Sequence, residues 1–228
     1  MRVLLRSVLL AATVAAGPAR AGVAVEFCYN YGCATRTEVR IAIDALAPLR
    51  AAFDRVDNAA AERDAIAHAV AALYRLGAAH TPIAADRAGN LLDGGAEGRM
   101  DCIDHSMTTT QLLALMDARG WLRFHAVREP SRRARVIFQH FAAVIEEVAP
   151  RAPPRTRASR PVPDHAPVLL ALCDCADVLD ELREPAPRPA PADAGTRYVV
   201  DSWFVDHGEP AVILPLADWM RGEGPNVH

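Results

Sequence analysis

The sequence contains no lysine, and all 25 of its basic side chains are arginines. A GC-rich genome favours arginine codons, so we infer no function from this absence. An excess of charge of one sign is also lacking, because 28 acidic residues against 25 basic ones leave a net charge of −3. This balance does not indicate a protein that binds nucleic acid.

Long hydrophobic runs are absent as well. No stretch approaches the ~20 consecutive apolar residues that a helix needs to cross a bilayer, so we expect no membrane span. Hydrophobic residues make up 51% of the chain, which is typical of globular proteins and excludes general disorder, collagen-like repeats and coiled coil. A length of 228 residues suits one domain, or at most two small ones.

The first 21 residues have the parts of a secretory signal peptide. Arg2 and Arg6 form a short basic region, residues 8–16 are small and apolar, and the A-R-A sequence ending at Ala21 supplies a cleavage pattern. An anchor that is never cut is the alternative, but the apolar run is too short to span a bilayer. We therefore predict cleavage after Ala21 and a periplasmic or secreted product, since the two arginines suit bacterial export across the inner membrane.

The chain has an odd number of cysteines, five in all. They are Cys28, Cys33, Cys102, Cys173 and Cys175. Thiols tend to pair in an oxidising compartment, and an odd count leaves one over. The four outside Cys102 form two close pairs whose connectivity stays open: a Cys28–Cys33 loop is plausible, cross-pairing is its main rival, and a four-cysteine zinc site with an uncommon spacing is a further alternative.

Apolar spacing predicts helices followed by strands. The predicted helices cover residues 37–56, 59–76 and 102–119, with a short one beginning at Pro215. The predicted strands cover residues 122–127, 136–148, 198–205 and 211–214. Asn58 is the expected N-cap of the second helix, and Gly77 and Gly120 are expected to end the second and third. Helices before antiparallel strands are typical of an α+β domain in which helices pack on an antiparallel sheet.

Ten of the 17 prolines fall between residues 150 and 191. Between the proline-rich flanks lies an apolar segment, residues 166–182, with the length of one helix. We interpret the whole region as an insertion that carries a short helix on extended linkers. Its role is left open.

One set of residues points to nucleophilic chemistry. Cys102 opens a predicted helix after a glycine-rich loop, in G-R-M-D-C-I-D-H-S, where the helix dipole and backbone N–H groups favour a thiolate and can receive an oxyanion. His140 lies in the strand sequence F-Q-H-F-A-A-V and Asp201 in the strand sequence Y-V-V-D-S-W-F. A cysteine nucleophile needs a histidine to move its proton and a carboxylate to orient that histidine. We predict that the three side chains meet at one end of a sheet.

The order of these residues resembles a known family. D-C-I-D-H, H-F-A-A-V and V-V-D-S-W together are similar to the bacterial transglutaminase-like cysteine proteinases, in the papain-like superfamily, over about residues 86–219. The resemblance implies a papain-like, transglutaminase-core fold and a thiol peptidase or amidohydrolase that acts on a protein or peptide substrate. It matches Cys102 to the nucleophile, His140 to the general base and acid, and Asp201 to the orienting carboxylate. Residues 81–228 would form this catalytic core, and residues 22–80 an N-terminal helical segment packed on it.

The resemblance also brings in calcium as an optional cofactor, since adhesin-clipping relatives bind it through carboxylates that flank the nucleophile. Asp101 and Asp104 are the weak candidates here, and Ile103 stands where a further carboxylate would help. No other metal or cofactor is expected. Asn90 is a guess for an oxyanion-hole side chain, based only on its position before the nucleophile.

Several competing assignments remain open at this point. His125 competes with His140 as the base, Asp206 is the fallback for Asp201, and His105, one turn after the cysteine, suits a supporting role or a zinc ligand.

Trp203 is expected in the core or the cleft wall. Three arginines are expected in a solvated loop, with acidic substrate binding as the rival: Arg132, Arg133 and Arg135. The rival for the whole chain is a metal-binding or redox protein without peptidase activity, and sequence does not separate hydrolysis from transfer to an amine.

Overall fold

The computed structural model describes residues 22–89, 96–135, 138–150 and 195–225. Outside these ranges lie the predicted signal peptide, Asn90, Cys173, Cys175 and almost all of the proline-rich insertion.

The helices are α1 (Ile43–Phe53), α2 (Ala59–Ala78), α3 (Cys102–Ala118) and α4 (Leu216–Arg221), with a short 3-10 helix at Pro82–Ala85. The strands are β1 (Gly22–Tyr29), β2 (Thr35–Ala42), β3 (His125–Arg135), β4 (Phe138–Glu147), β5 (Arg197–Asp201) and β6 (Val212–Pro215).

The N-terminal part corrects the sequence prediction. Residues 37–42 were predicted as the start of a helix, but they belong to β2, which pairs antiparallel with β1 from Gly22 opposite Ala42 to Tyr29 opposite Thr35. The residues alternate in burial: Val39 and Ile41 are buried while Glu38 and Arg40 are exposed, a period of two that a helix does not have. The predicted N-terminal helical segment is therefore a β-hairpin followed by two helices.

Helices α2 and α3 begin where the sequence predicts, and α3 ends within one residue of the prediction. Gly77 was predicted to end the second helix, but it lies inside α2, which continues to Ala78. Gly77 instead allows the ring of Phe27 to pack closely on the helix.

Asn58 caps α2, accepting the N–H of Ala61 at 2.9 Å. Asp101 caps α3 and accepts the N–H groups of Ile103 and Asp104. After α3 the chain turns at Gly120, whose φ of 66° is favourable only for glycine. Nucleophile candidate Cys102 is thus the first residue of a well-capped helix.

The four predicted C-terminal strands form one antiparallel sheet in the order β3-β4-β5-β6. Together with the helices, it makes the chain an α+β protein. The sequence predicts that this strand ends at residue 127, but β3 continues to Arg135. Residues 131–135 continue the pairing with β4 after a register shift between Arg128 and Ser131. The arginines of this stretch, predicted to lie in a loop, therefore belong to an edge strand.

The two faces of this sheet bury different sets of side chains. One face, with Ala143, Ile145 and Val200, joins the main core, which also contains side chains from the hairpin, α2 and α3. The other face packs on a smaller aromatic cluster that contains these side chains: Ala142, Val144, Val199, Trp203, Phe204 and Trp219. Because side chains alternate along a strand, His140 and Asp201 point to the second face. In the described parts of the chain, no helix has the length and apolar character to cross a membrane.

Candidate active site

The Cys102 thiol lies against the backbone of β4. Its Sγ is 3.8 Å from the carbonyl oxygen of Gln139, and the backbone N–H of Phe141 acts to lower the pKa of the thiol. These two residues flank His140 in the chain. Within the described ranges, Cys102 is the one cysteine outside a disulfide. The start of α3 therefore brings a free thiol to the strand position of the predicted base.

His140 and Asp201 form a close pair. His140 Nε2 and Asp201 Oδ2 are 2.7 Å apart. The register that places Ala143 opposite Val200 makes the two residues diagonal neighbours on one sheet face. The carboxylate side chain is only 1% exposed, and the imidazole 11%. This pairing leaves Nδ1 as the ring nitrogen that can exchange a proton with another group.

Two further donors hold the Asp201 carboxylate. The indole N–H of Trp219 donates to Oδ2 at 3.0 Å, and the backbone N–H of Trp203 donates to Oδ1 at 3.2 Å. The rings of Trp203, Phe204 and Trp219 also surround the His140 imidazole, with centroids 4.7, 5.3 and 5.5 Å away. A buried carboxylate with three donors has a fixed orientation. The imidazole bound to it is therefore fixed as well.

The sequence reasoning missed Trp219. It is completely buried, although it belongs to a six-residue helix near the end of the chain. A tryptophan in a short terminal helix signals that the helix docks, but it does not reveal which acceptor the indole finds. Only the fold shows that α4 packs on the same sheet face as His140.

The environment of Cys102 differs from the sequence expectation. Burial raises the pKa of the thiol above its usual value, and the charges of Asp101 and Asp201 raise it further, while the Phe141 N–H lowers it. The start of a helix was expected to lower the pKa of the thiol through its free backbone N–H groups. This effect is offset because the Asp101 carboxylate already accepts the N–H groups of Ile103 and Asp104, at 3.0 and 2.9 Å. The thiol therefore needs a base to ionise at neutral pH.

The competing histidines lie in separate buried networks. His125 is fully buried, with Nδ1 3.0 Å from Glu62 Oε1 and Nε2 3.3 Å from the guanidinium of Arg63. His105 lies between Asp86 at 2.9 Å and Ser202 at 2.8 Å. Both rings have polar partners at both nitrogens.

The remaining candidates also have assigned contacts. Asp206, the fallback carboxylate, accepts the N–H of Ala88 at 3.1 Å, whereas Asp201 is the carboxylate bonded to His140. Arg132 donates to Gln139 Oε1 at 2.9 Å. Arg133, opposite His140 in the register, lies 4.6 Å from the Trp219 ring centre. No group of three potential metal ligands occurs among the described residues.

A disulfide joins Cys28 and Cys33, which confirms the short-loop pairing over cross-pairing and over the four-cysteine zinc site. The loop lies on the start of α3. The N–H groups of Tyr31 and Cys33 donate to the two oxygens of Asp104, and that of Gly32 donates to Asp101 Oδ2 at 3.0 Å. Successive N–H groups arranged in this way form a concavity for anions.

The hydrogen bonds of Asp101 and Asp104 argue against calcium binding by these two carboxylates. Each oxygen of Asp101 and Asp104 accepts at least one N–H group: Asp101 those of Gly32, Ile103 and Asp104, and Asp104 those of Tyr31, Cys33 and Asp101. Calcium requires six to eight oxygen ligands directed at the ion. Carboxylates directed at backbone donors, whose hydrogens carry partial positive charge, do not fit a cation site.

Comparison with known proteins finds no match for the chain among protein-family models, curated proteins or solved structures.

Proposed function

We propose that the protein is an exported thiol amidohydrolase or cysteine peptidase with a papain-like, transglutaminase-type core. The observation that carries the proposal is the 2.7 Å pairing of His140 with Asp201, in which His140 lies on the strand whose backbone contacts the Cys102 sulfur. A nucleophile, a base and an orienting carboxylate are the parts that acyl transfer through a thioester needs.

The reaction begins with transfer of the thiol proton to His140 Nδ1. The thiolate of Cys102 attacks the amide carbonyl carbon, and the carbonyl oxygen takes the negative charge. His140 then gives its proton to the amine that leaves, which produces a thioester on the sulfur. Water, deprotonated by the same imidazole, attacks the thioester; the acid leaves and the thiol is restored.

The surroundings of the imidazole suit this cycle. His140 becomes a cation when it accepts the proton, and Asp201 stabilises that charge at hydrogen-bond distance. The three aromatic rings limit access of water to this pair, which strengthens the electrostatic interaction. The high pKa of the thiol makes proton transfer to the base a required step. Hydrolysis is the default outcome because water is abundant, and transfer to an amine follows the same route.

Further features support an exported enzyme without a calcium site at Asp101 and Asp104. The Cys28–Cys33 disulfide fits an oxidising compartment, in agreement with the predicted cleavage after Ala21 and a periplasmic or secreted location. The contacts of Asp101 and Asp104 do not favour calcium. A peptide or protein substrate follows from the amide chemistry.

Hydrolysis assays with matched variants test the proposal. The mature protein is incubated with casein and with peptides that contain glutamine, and released amines and ammonia are measured. Cys102→Ala should abolish the release, and mass spectrometry should find a transient acyl group on the tryptic peptide of residues 100–119 in the wild type. Equal release by wild type and Cys102→Ala would refute the proposal.

A further inference from the structure

The disulfide loop of residues 28–33 contacts the helix that carries the nucleophile. We infer that this loop, closed by Cys28 and Cys33, positions Cys102 for reaction with His140, and that Asp104 is the positioning residue between loop and helix. The inference rests on the proposed function. It makes the activity dependent on the oxidised disulfide.

The main connection runs through the carboxylates on either side of the nucleophile. Asp104, two residues after Cys102, is completely buried, and both of its oxygens accept N–H groups from the loop, from Tyr31 at 2.8 Å and from Cys33. Asp101, one residue before Cys102, accepts the N–H of Gly32. The loop therefore fixes the chain on both sides of the sulfur.

The ends of the loop are fastened to the same region. Cys28 donates its N–H to the hydroxyl of Thr108 at 3.0 Å and accepts from that hydroxyl at 3.4 Å. Asn30 donates its N–H to the carbonyl of Arg99 at 2.8 Å and accepts the N–H of Gly98 at 2.8 Å. The loop thus joins the segment before α3 to the second turn of that helix.

The backbone of the loop explains why the disulfide matters. Four successive residues have positive φ, namely 68° at Asn30, 66° at Tyr31, 62° at Gly32 and 56° at Cys33. Three of the four are not glycine, and such residues keep this conformation only where the surroundings enforce it. The conformation directs three consecutive N–H groups at the two carboxylates. Without the cross-link, the loop can leave this conformation, and the two carboxylates beside the nucleophile lose the N–H donors that the loop supplies.

The expected effect is on the cooperation between Cys102 and His140, and it is separate from folding. With the loop closed, the sulfur is held against β4 and the imidazole removes its proton. With the loop open, the start of α3 moves relative to the strand, and small displacements of reacting groups reduce rates strongly. Reduction of the disulfide should therefore lower activity while the sheet with His140 and Asp201 stays folded.

A double-mutant cycle on alkylation of Cys102 tests this. The rate of iodoacetamide labelling at pH 7 is measured by mass spectrometry on the tryptic peptide of residues 100–119, which holds no other cysteine. Rates are taken for wild type and His140→Ala, each with the loop intact and with the double replacement Cys28→Ser/Cys33→Ser. Asp104→Asn serves as a second loop variant that keeps the disulfide, and Asp44→Asn, in the first turn of α1, is its matched control.

The wild-type protein should label at least about tenfold faster than His140→Ala, and this ratio should fall to about one in the Cys28→Ser/Cys33→Ser background. Asp104→Asn should reduce the ratio and Asp44→Asn should not. Reductant should lower the ratio of the wild type and leave that of the double-serine protein unchanged.

The outcomes separate the two claims. A ratio that stays high without the disulfide, in protein that is folded by circular dichroism, overturns this inference alone. A ratio of one already in the wild type overturns the proposed function and this inference with it. A lower melting temperature with an unchanged ratio and pH profile would show that the loop only stabilises the fold.

Discussion

Among the buried histidine–carboxylate pairs of the described residues, two have similar geometry and different surroundings. His125 and Glu62 are 3.0 Å apart, and both side chains are fully buried. His140 and Asp201 are 2.7 Å apart, and the imidazole retains 11% of its exposure. Only in the second pair does the histidine lie on the strand whose backbone contacts a free thiol. A paired histidine therefore indicates a reactive site only when a nucleophile and an approach for substrate accompany it.

Replacing each histidine should affect activity differently. His140→Ala should lower kcat/KM about 10³-fold, because general base catalysis is lost, and it should also lower stability because the buried Asp201 carboxylate loses its imidazole partner. His125→Ala leaves Glu62 as a buried charge without its imidazole partner and should cost about 3 kcal/mol of unfolding free energy. Urea unfolding and peptide hydrolysis on both variants test the contrast. Similar losses of activity in the two folded variants would contradict it.

Replacing the carboxylate partners of the two histidines, Asp201 and Glu62, tests the same difference between the two pairs. Asp201→Asn should reduce kcat about 10²–10⁴-fold, since the amide cannot stabilise the imidazolium. Glu62→Gln should spare kcat and reduce stability, because the Glu62 carboxylate also accepts the N–H groups of Arg123 and Phe124. Steady-state kinetics and thermal melting of both variants test these two expectations. A normal kcat in Asp201→Asn would remove that residue from the catalytic set.

A smaller effect is expected from Trp219→Phe. Phenylalanine keeps an aromatic ring beside His140 but removes the N–H that donates to Asp201. Loss of one hydrogen bond to a charged group should lower kcat about tenfold, with KM nearly unchanged. Trp121→Phe is the control, since Trp121 stacks on Phe53 in the other core. Equal kcat values for both variants would contradict a role in positioning Asp201.

A third environment is found at His207, whose buried Nε2 has no hydrogen-bond partner. Burial lowers the pKa of this imidazole. The unfolded chain therefore binds the proton more readily, and stability should fall as the pH drops below about 6.5, the ordinary pKa of histidine. Urea unfolding at pH 5 and pH 8 should show a smaller difference in His207→Gln than in wild type. An unchanged difference would assign the effect to other groups.

The smallest effect concerns calcium. Because Asp101 and Asp104 accept backbone N–H groups, EDTA and added calcium should change kcat/KM and Tm by less than the experimental error. Both quantities are measured before and after chelation, with magnesium as the control ion. Inactivation by EDTA that only calcium reverses would overturn this account of the two carboxylates.

Much of the fold follows from the sequence because its signals are local. Asn58 and Gly120 mark helix ends by their own chemistry, and the strands with alternating or β-branched residues were found. The hairpin was missed because Val39 and Ile41 also fit the apolar spacing of the helix that follows. Strand β3 was cut short because its charged half lies at a sheet edge, where arginines are tolerated.

The candidate site was predictable in residue types and less so in contacts. Helix-start and strand contexts were enough to propose Cys102, His140 and Asp201. The indole of Trp219 and the loop of residues 28–33 reach the site from distant parts of the chain, and no local pattern reveals such contacts. The direction of the Cys102 pKa was wrong for a related reason: the Asp101 cap and the burial of the sulfur are tertiary features.

The most direct test of a Cys102–His140 relay is the pH dependence of Cys102 alkylation from pH 5 to 10 in the wild type and in His140→Ala, read on the peptide of residues 100–119. We predict that the wild type reacts rapidly at neutral pH, whereas the variant reacts only as the pH approaches the raised pKa of the half-buried thiol. Coincident profiles for the two proteins would show that His140 does not activate Cys102 and would contradict the proposed chemistry.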